Sequence, residues 1–186
     1  MDVDIHIPCF IDQLYPETGF NMIKVLEKAG CKVHYNPNQT CCGQPAYNAG
    51  YKDEALKVAK KFLDDFKGNR PIVSPSASCV GMVVHSYADF FNNSAQRSVY
   101  KKLTERVFEF STFLTDVLKV EDVGASFDAK VTYHDSCSAL RGLKIKDGPR
   151  RLLANVKGLE LVEMNESETC CGFGGTFSAK FPMIST

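Results

Sequence analysis

Two pairs of adjacent cysteines, each followed by glycine, are the residues of this chain best suited to chemistry. They are Cys41 and Cys42 before Gly43, and Cys170 and Cys171 before Gly172. Adjacent thiols rarely form a disulfide with each other, because the resulting ring strains both the peptide bond and the disulfide. They can instead direct two sulfur atoms toward one metal centre where the backbone turns, and glycine permits the positive φ of such a turn. We therefore expect both loops to bind iron or zinc.

The spacing of the other cysteines makes each pair part of an internal repeat. Cys9 precedes the first pair, and Cys137 precedes the second pair by nearly the same number of residues. Cys79 follows the first pair, whereas the equivalent position in the second half falls beyond Thr186. The first half therefore has a complete set of four thiols, and the second half has three.

The elements that must position these cysteines alternate between strand and helix. Alternating apolar residues predict strands over residues 2–8, 32–35, 71–74, 130–133 and 159–162. Apolar residues at helical spacing predict helices over residues 18–29 (with Thr18 as the cap), 53–66, 80–90, 96–107, 111–118 and through Leu152, Leu153 and Val156. This alternation indicates parallel α/β sheets. Because ligands collect outside the carboxyl ends of parallel strands, the thiols of Cys9, Cys41, Cys42 and Cys79 are expected to converge there.

The composition is that of an ordinary globular protein. The 186 residues carry 22 basic and 22 acidic side chains, so the formal net charge is zero, and no basic run points to nucleic acid. No window approaches the ~20 apolar residues of a membrane span. The N-terminus has acidic residues where a secretory signal has basic ones. We therefore expect a cytoplasmic protein whose eight cysteines are ligands or redox groups rather than structural disulfides.

Two stretches of the second half resemble a known family. They are Tyr133-His134-Asp135-Ser136-Cys137-Ser138-Ala139-Leu140-Arg141-Gly142 and Cys170-Cys171-Gly172-Phe173-Gly174-Gly175-Thr176-Phe177-Ser178. Together with the repeat, they resemble the cysteine-rich CCG domain family. This family includes the catalytic B subunit of heterodisulfide reductase and iron–sulfur subunits of glycolate, glycerol-3-phosphate and lactate oxidation systems, and the lactate systems are the most similar.

The resemblance implies an α/β fold with two pseudo-symmetric Rossmann-like lobes, each with a parallel sheet and a cysteine cluster. The first lobe is expected over residues 1–94, a helical connector over 95–128, and an incomplete second lobe, truncated at its end, over 129–186. It also implies that the cysteines ligate iron. The expected ligands are Cys9, Cys41, Cys42 and Cys79 in the first lobe, and Cys137, Cys170 and Cys171 in the second.

Two departures from the family pattern bear on the cofactor. Met82 stands where the heterodisulfide reductase branch has a fifth cysteine, so a four-cysteine [4Fe-4S] site is expected in place of a non-cubane cluster. Ser138 stands where relatives often have histidine. The second site lacks a fourth cysteine and is expected to be empty or defective, unless His134 or a partner chain completes it. A disulfide between Cys137 and Cys170 or Cys171 is an alternative.

Other residues are given structural roles. Cys31 is expected to pack in the core, and His6 and His34 to be structural residues on strands. His134 is expected to make an orienting hydrogen bond. Arg141 and Lys144 either balance thiolate charge or are solvated helix charges.

The resemblance implies an iron–sulfur electron-transfer subunit for the oxidation of L-lactate or glycolate. The chain has no dinucleotide fingerprint and no evident acid–base pair, so the substrate chemistry is expected to lie with partner iron–sulfur or flavin subunits. Two alternatives stay open. One is a thiol–disulfide reductase, and the other is a structural zinc module, since four thiolates also suit zinc.

Overall fold

Six parallel strands in two sheets form the framework on which the cysteines are placed. The computed structural model describes residues 1–185, so Thr186, the last residue of the expected second lobe, lies outside the described residues. The strands are β1 (Asp2–Ile5), β2 (Lys32–Tyr35), β3 (Ile72–Ser74), β4 (Val107–Glu109), β5 (Ser126–Val131) and β6 (Lys157–Leu161). The first sheet has the order β2-β1-β3-β4, and β5 pairs with β6 in the second. All pairs are parallel, which confirms the predicted fold class.

The helices connect the strands of both sheets and follow the last strand. They are α1 (Cys9–Leu14), α2 (Pro16–Lys28), α3 (Gln44–Asn48), α4 (Lys52–Asp65), α5 (Ala77–Val84), α6 (Ser94–Thr104), α7 (Phe110–Thr112), α8 (Asp147–Ala154), α9 (Thr176–Lys180) and α10 (Pro182–Ser185). A 3₁₀ turn (Ser86–Asp89) follows α5, and π-helical turns occupy Phe113–Val117 and Ser138–Leu143. No helix within residues 1–185 is both long and apolar enough to span a membrane.

Two apolar clusters bury the faces of the first sheet. One packs α4 and α5 side chains such as Phe62 and Val83 together with Cys42 and Cys79. The other packs Val3 and Ile5 of β1 against α2 and includes Cys31, whose predicted place in the core is confirmed. Two candidate ligand thiols are therefore part of a hydrophobic core, which removes them from water.

Several element boundaries differ from the sequence predictions. Thr18 lies inside α2 and is not its cap, because Pro16 supplies the first helical residue. Cys79 is the third residue of α5, whereas the sequence placed it in the preceding loop. The segment 95–128, expected as a helical connector, also contains β4, which joins the first sheet beside β3. The division of the chain into lobes at these residues stays a prediction.

Candidate metal centre

The first paired-cysteine loop turns at a glycine with positive φ. Gly43 has φ of 82° and forms the N-cap of α3, as the sequence indicated for this position. A side chain there would also lie 3.3 Å from Val58 Cγ1, so the loop packs closely on α4. The Gly43 amide donates a hydrogen bond to the Cys41 sulfur at 3.4 Å. The turn therefore directs a backbone N–H group at one of the candidate ligands.

The four thiols of the first half converge at the carboxyl edge of the first sheet. Cys9 begins α1 just beyond β1, and its Sγ lies 3.3 Å from Cys41 Sγ. Cys42 interacts with the sulfurs of both Cys41 and Cys79. Cys79 lies near the start of α5, the helix that follows β3. The sulfurs thus form one continuous group, running from exposed Cys9 to buried Cys42 and Cys79.

Hydrogen bonding within this group favours ionisation of two of its thiols. The pKa of Cys41 falls to about 5, chiefly because the Cys42 thiol donates to it, with the Gly43 amide adding to the effect. The single S–H proton of Cys42 is shared between Cys41 and Cys79, so the pKa of Cys79 is lowered as well. The pKa of Cys42 is raised correspondingly. Burial, reinforced by Cys41, raises the pKa of Cys9 to about 11. The lowered pKa values therefore fall on Cys41 and Cys79, and Cys41, with a pKa of about 5, is the thiol that ionises most readily.

The chemistry of this donor set suits a metal ion or an iron–sulfur cluster. Four thiols supply the complete ligand set of a [4Fe-4S] centre, and a depressed thiol pKa favours ligation because the thiolate is the ligand. The sulfur of Cys41 interacts with those of Cys9 and Cys42, and the sulfur of Cys42 interacts with that of Cys79. Within residues 1–185, no three His, Cys, Asp or Glu side chains are arranged to hold a single metal ion. Met82 is 2% exposed and packs in the same apolar cluster as Cys42 and Cys79, so a thioether occupies the position of the possible fifth thiol.

Tyr87 supports the first paired-cysteine loop by a hydrogen bond to its backbone. No pattern in the sequence predicted this role. Its side chain is fully buried, and its hydroxyl donates to the Cys42 carbonyl at 2.9 Å. Burial and the neighbouring cysteines raise its pKa, so it stays a neutral donor. The partner is a backbone carbonyl, which leaves no pattern of residue types for sequence reasoning to find.

The cysteines of the second half are more open. Cys137 follows β5, and Cys137, Cys170 and Cys171 are all exposed. All eight cysteines are free, so no disulfide joins Cys137 to Cys170 or Cys171. Gly172 has φ of 78° and repeats the turn of the first loop. The second half therefore repeats the positive φ of the glycine after the cysteine pair, but its three cysteines are exposed.

Charged side chains hold the second loop in place. Arg141 donates to the carbonyl of Glu168 at 2.9 Å, which links the segment after Cys137 to the residue two before Cys170. The Asp135 carboxylate, buried just before Cys137, accepts two hydrogen bonds from Arg150 at 2.8 and 2.6 Å. Arg141 thus contacts the backbone of the loop and is not a purely solvated charge.

A cleft of about 510 Å³ separates the two groups of cysteines. Its walls include Ser76 and Ser78 from the first half and Cys137 and Cys171 from the second. Beside it, α5 packs against the π-helical segment that follows Cys137, and His85 Nε2 lies 3.1 Å from the Gly142 carbonyl oxygen. Cys137 and Cys171 therefore face, across this cleft, residues that adjoin the cysteines of the first half, such as Gln44 and Ser78.

The histidines near the cysteines make hydrogen bonds to loop backbone. The hydrogen bond predicted for His134 is present, because its Nε2 lies 2.8 Å from the Thr169 carbonyl oxygen. His6 lies just beyond β1 rather than on it, and its Nε2 lies 3.3 Å from the Thr40 carbonyl oxygen. Only a general structural role was predicted for His6 from the sequence, so this contact was missed.

Comparison with known proteins adds an independent finding. Residues 3–84 and 131–186 match the family described as "Cysteine-rich domain" (CCG). Lactate utilization protein A of Geobacillus kaustophilus is 46% identical, and the match covers all of this chain and 77% of that protein. Lactate utilization protein A of Oceanobacillus iheyensis is 44% identical over all of this chain and 76% of its own length. Lactate utilization protein A 1 of Bacillus mycoides is 45% identical, again over all of this chain and 76% of its own length.

Proposed function

This chain belongs to the cysteine-rich CCG domain family, and from that premise we propose that it is an iron–sulfur electron-transfer subunit of a system that oxidises a 2-hydroxy acid. The names of the relatives favour L-lactate as the substrate of that system. Glycolate is the alternative substrate. The observation that carries the proposal is the convergence of four thiols from separate segments of the first half.

In this proposal, Cys9, Cys41, Cys42 and Cys79 hold a [4Fe-4S] cluster. Such a cluster, when bound, supplies a one-electron redox site. Cys41 is the thiolate that is available at neutral pH, and the Gly43 amide donates to its sulfur. Amide donors to ligating sulfurs raise the reduction potential, so this N–H group tunes the site. Exposed Cys9 lies on the side from which electrons enter or leave.

The proposed partners carry the substrate chemistry. This chain offers no dinucleotide fingerprint, so a flavin or second iron–sulfur subunit is the proposed donor or acceptor. We place the complex in the cytoplasm, because a reducing compartment keeps eight free cysteines reduced. Cys137, Cys170 and Cys171 are proposed as a partial second site, completed only by a further ligand.

Metal analysis of protein prepared without oxygen tests the proposal. We expect a brown protein with absorbance near 400 nm (about the region of thiolate-to-iron charge transfer) and about four iron and four sulfide ions per chain. A reducible EPR-active centre that exchanges electrons with a flavoprotein would complete the evidence. A colourless protein that binds one zinc ion would instead support the structural zinc module and overturn the electron-transfer function.

A thiol–disulfide reductase is the second candidate, and the cleft between the cysteine groups favours it. The cleft exposes Cys137 and Cys171, so an extended disulfide substrate could reach both halves. Met82 in place of a fifth cysteine weighs against it. Anaerobic reduction of a disulfide by the reduced protein, at a rate that depends on Cys171, would make this the preferred function.

A further inference from the structure

Two histidines make the same contact in the two halves of the chain. His6 Nε2 lies 3.3 Å from the Thr40 carbonyl oxygen, and His134 Nε2 lies 2.8 Å from the Thr169 carbonyl oxygen. The sequence separations within these pairs are 34 and 35 residues. Each histidine shortly precedes the first cysteine of its half, and each threonine immediately precedes the cysteine pair. We call each contact a histidine–carbonyl bridge.

Each bridge requires the histidine to be a donor at Nε2. A carbonyl oxygen only accepts hydrogen bonds, so Nε2 must carry the proton. For His6 the other nitrogen, Nδ1, lies 3.4 Å from Ser74 Oγ and accepts from that hydroxyl. Burial lowers the pKa of His6 to about 4, so the ring is neutral at physiological pH and has one proton to donate. Ser74 therefore fixes the tautomer that the bridge needs.

The bridge acts on the peptide unit that enters the cysteine pair. The carbonyl of Thr40 and the amide N–H of Cys41 belong to the same planar group, so holding the oxygen fixes the orientation of that plane. The imidazole belongs to the segment that leads into Cys9. One hydrogen bond thus joins the two segments that supply Cys9 and Cys41, and the second bridge joins those that supply Cys137 and Cys170.

We propose that His6 and His134 are positioning residues that set the paired-cysteine loops against the first cysteine of each half, so that the thiols are placed before any metal arrives. The contribution of these loops to cluster binding rests on the proposed function. The bridges themselves belong to the polypeptide alone.

Packing alone does not account for the contact. His6 is 2% exposed, and its ring meets the edges of Phe62 and Phe66 at centroid distances of 5.0 and 6.0 Å. His134 is only partly buried and belongs to the half whose cysteines are exposed. His6 and His134 thus lie in different surroundings, yet each bonds to the carbonyl oxygen of the residue before its cysteine pair. The hydrogen bond is therefore the shared element.

Paired substitutions in the full chain test the proposal. His134→Gln keeps an amide N–H near the position of Nε2, and His134→Leu removes the donor. His6→Gln and His6→Leu repeat the comparison in the first half. His85→Leu is the matched control, because it removes a bond to the Gly142 carbonyl, which precedes no cysteine. Amide hydrogen exchange of peptides that cover 40–43 and 169–172 is measured on reduced protein stripped of metal.

We expect His134→Leu to accelerate exchange in 169–172 by about fivefold, the factor that corresponds to one lost hydrogen bond. His134→Gln should stay close to the unsubstituted protein, and His85→Leu should leave both loops unchanged. After anaerobic reconstitution, His6→Leu should change the visible and EPR spectra, whereas His6→Gln should restore them.

Three outcomes would overturn the proposal: unchanged exchange in His134→Leu, equal acceleration in His134→Gln and His134→Leu, or the same acceleration in His85→Leu. If His6→Leu does not fold, the half-exposed His134 pair decides the question by itself. If the unsubstituted protein binds no iron, the proposed function fails, yet the exchange measurements still establish or refute the bridges.

Discussion

The sulfur of Cys9 lies 3.3 Å from the sulfur of Cys41, although 32 positions separate the two residues in the sequence. The contact exists because β1 and β2 are parallel neighbours, so the chain segments that leave their carboxyl ends meet at one edge of the sheet. Cys9 leaves β1 directly, and the loop after β2 brings Cys41 to the same place. The distance therefore expresses sheet topology and not local sequence.

Removing one thiol of this group should abolish iron binding without unfolding the chain. We expect Cys41→Ala to lose nearly all iron and sulfide after anaerobic purification, because three thiolates no longer complete the site. Cys31→Ala is the matched control, since Cys31 is buried in a different apolar cluster from Cys42 and Cys79. Iron and sulfide analysis, with circular dichroism for the fold, measures both. Full iron content in Cys41→Ala would contradict the assignment.

The reactivity of Cys41 should show an unusually low pKa. In the chain stripped of metal, its alkylation rate should be constant above about pH 6 and fall about tenfold per pH unit well below pH 5, because only the thiolate reacts. Cys42→Ala removes the main hydrogen-bond donor, so the pKa of Cys41 should rise toward that of an ordinary thiol. Peptide-resolved mass spectrometry with iodoacetamide gives both profiles. A profile for unsubstituted Cys41 that still rises between pH 8 and 9 would contradict this electrostatic account.

The convergence of the cysteines could be predicted from the sequence, whereas several elements around them could not. Strand ends, glycine turns and the repeat are marked by residue type, and these placed Cys9, Cys41, Cys42 and Cys79 together. Helix α1 gives no such signal, because it has six residues and buries none of them. Strand β4 has three residues and exists through its pairing with β3, a tertiary interaction that local propensity does not encode.

The histidine–carbonyl bridges had a partial signal in the sequence. A histidine shortly before the first cysteine in both halves was visible in the repeat. Its partner is a backbone carbonyl, which every residue has, so the sequence could not identify the threonine that accepts the bond. Sequence reasoning reached an orienting bond for His134 but not for His6, which it treated as an ordinary residue of a strand.

A methyl group at Gly43 should damage the site more than one at Gly50. Both glycines have positive φ, 82° and 91°, so alanine at either position costs about 1–2 kcal/mol. At Gly43 the new Cβ also meets Val58 Cγ1 at 3.3 Å, whereas at Gly50 nothing lies within 4 Å. We expect a larger loss of stability in urea for Gly43→Ala than for Gly50→Ala, and loss of iron only in Gly43→Ala. Equal iron content in the two variants would show that the turn does not position the thiols.

The buried carboxylate of Asp135 should stabilise the second half. Asp135→Ala leaves Arg150 partly buried with only Glu163 as an acidic partner, and breaking a buried pair costs about 3 kcal/mol. Glu160→Ala is the control, because its pair with Lys130 is exposed and contributes less than about 1 kcal/mol. Urea unfolding midpoints measure the difference. Equal midpoints for the two variants would show that Asp135 adds nothing beyond a surface charge.

His6 should make the chain less stable in mild acid. Burial lowers its pKa in the folded state to about 4, below the 6.5 of an exposed histidine, so the unfolded chain binds the extra proton first as the pH falls. The stability that depends on neutral His6 is fully present above pH 6.5 and is lost progressively between pH 6.5 and 4. The loss amounts to about 3 kcal/mol at most, since each pKa unit corresponds to about 1.4 kcal/mol. His6→Gln cannot be protonated and should flatten the pH profile of urea unfolding in this range. If His6→Gln keeps the slope of the unsubstituted chain, His6 is not buried in its neutral form, and the tautomer argument for the first bridge fails with it.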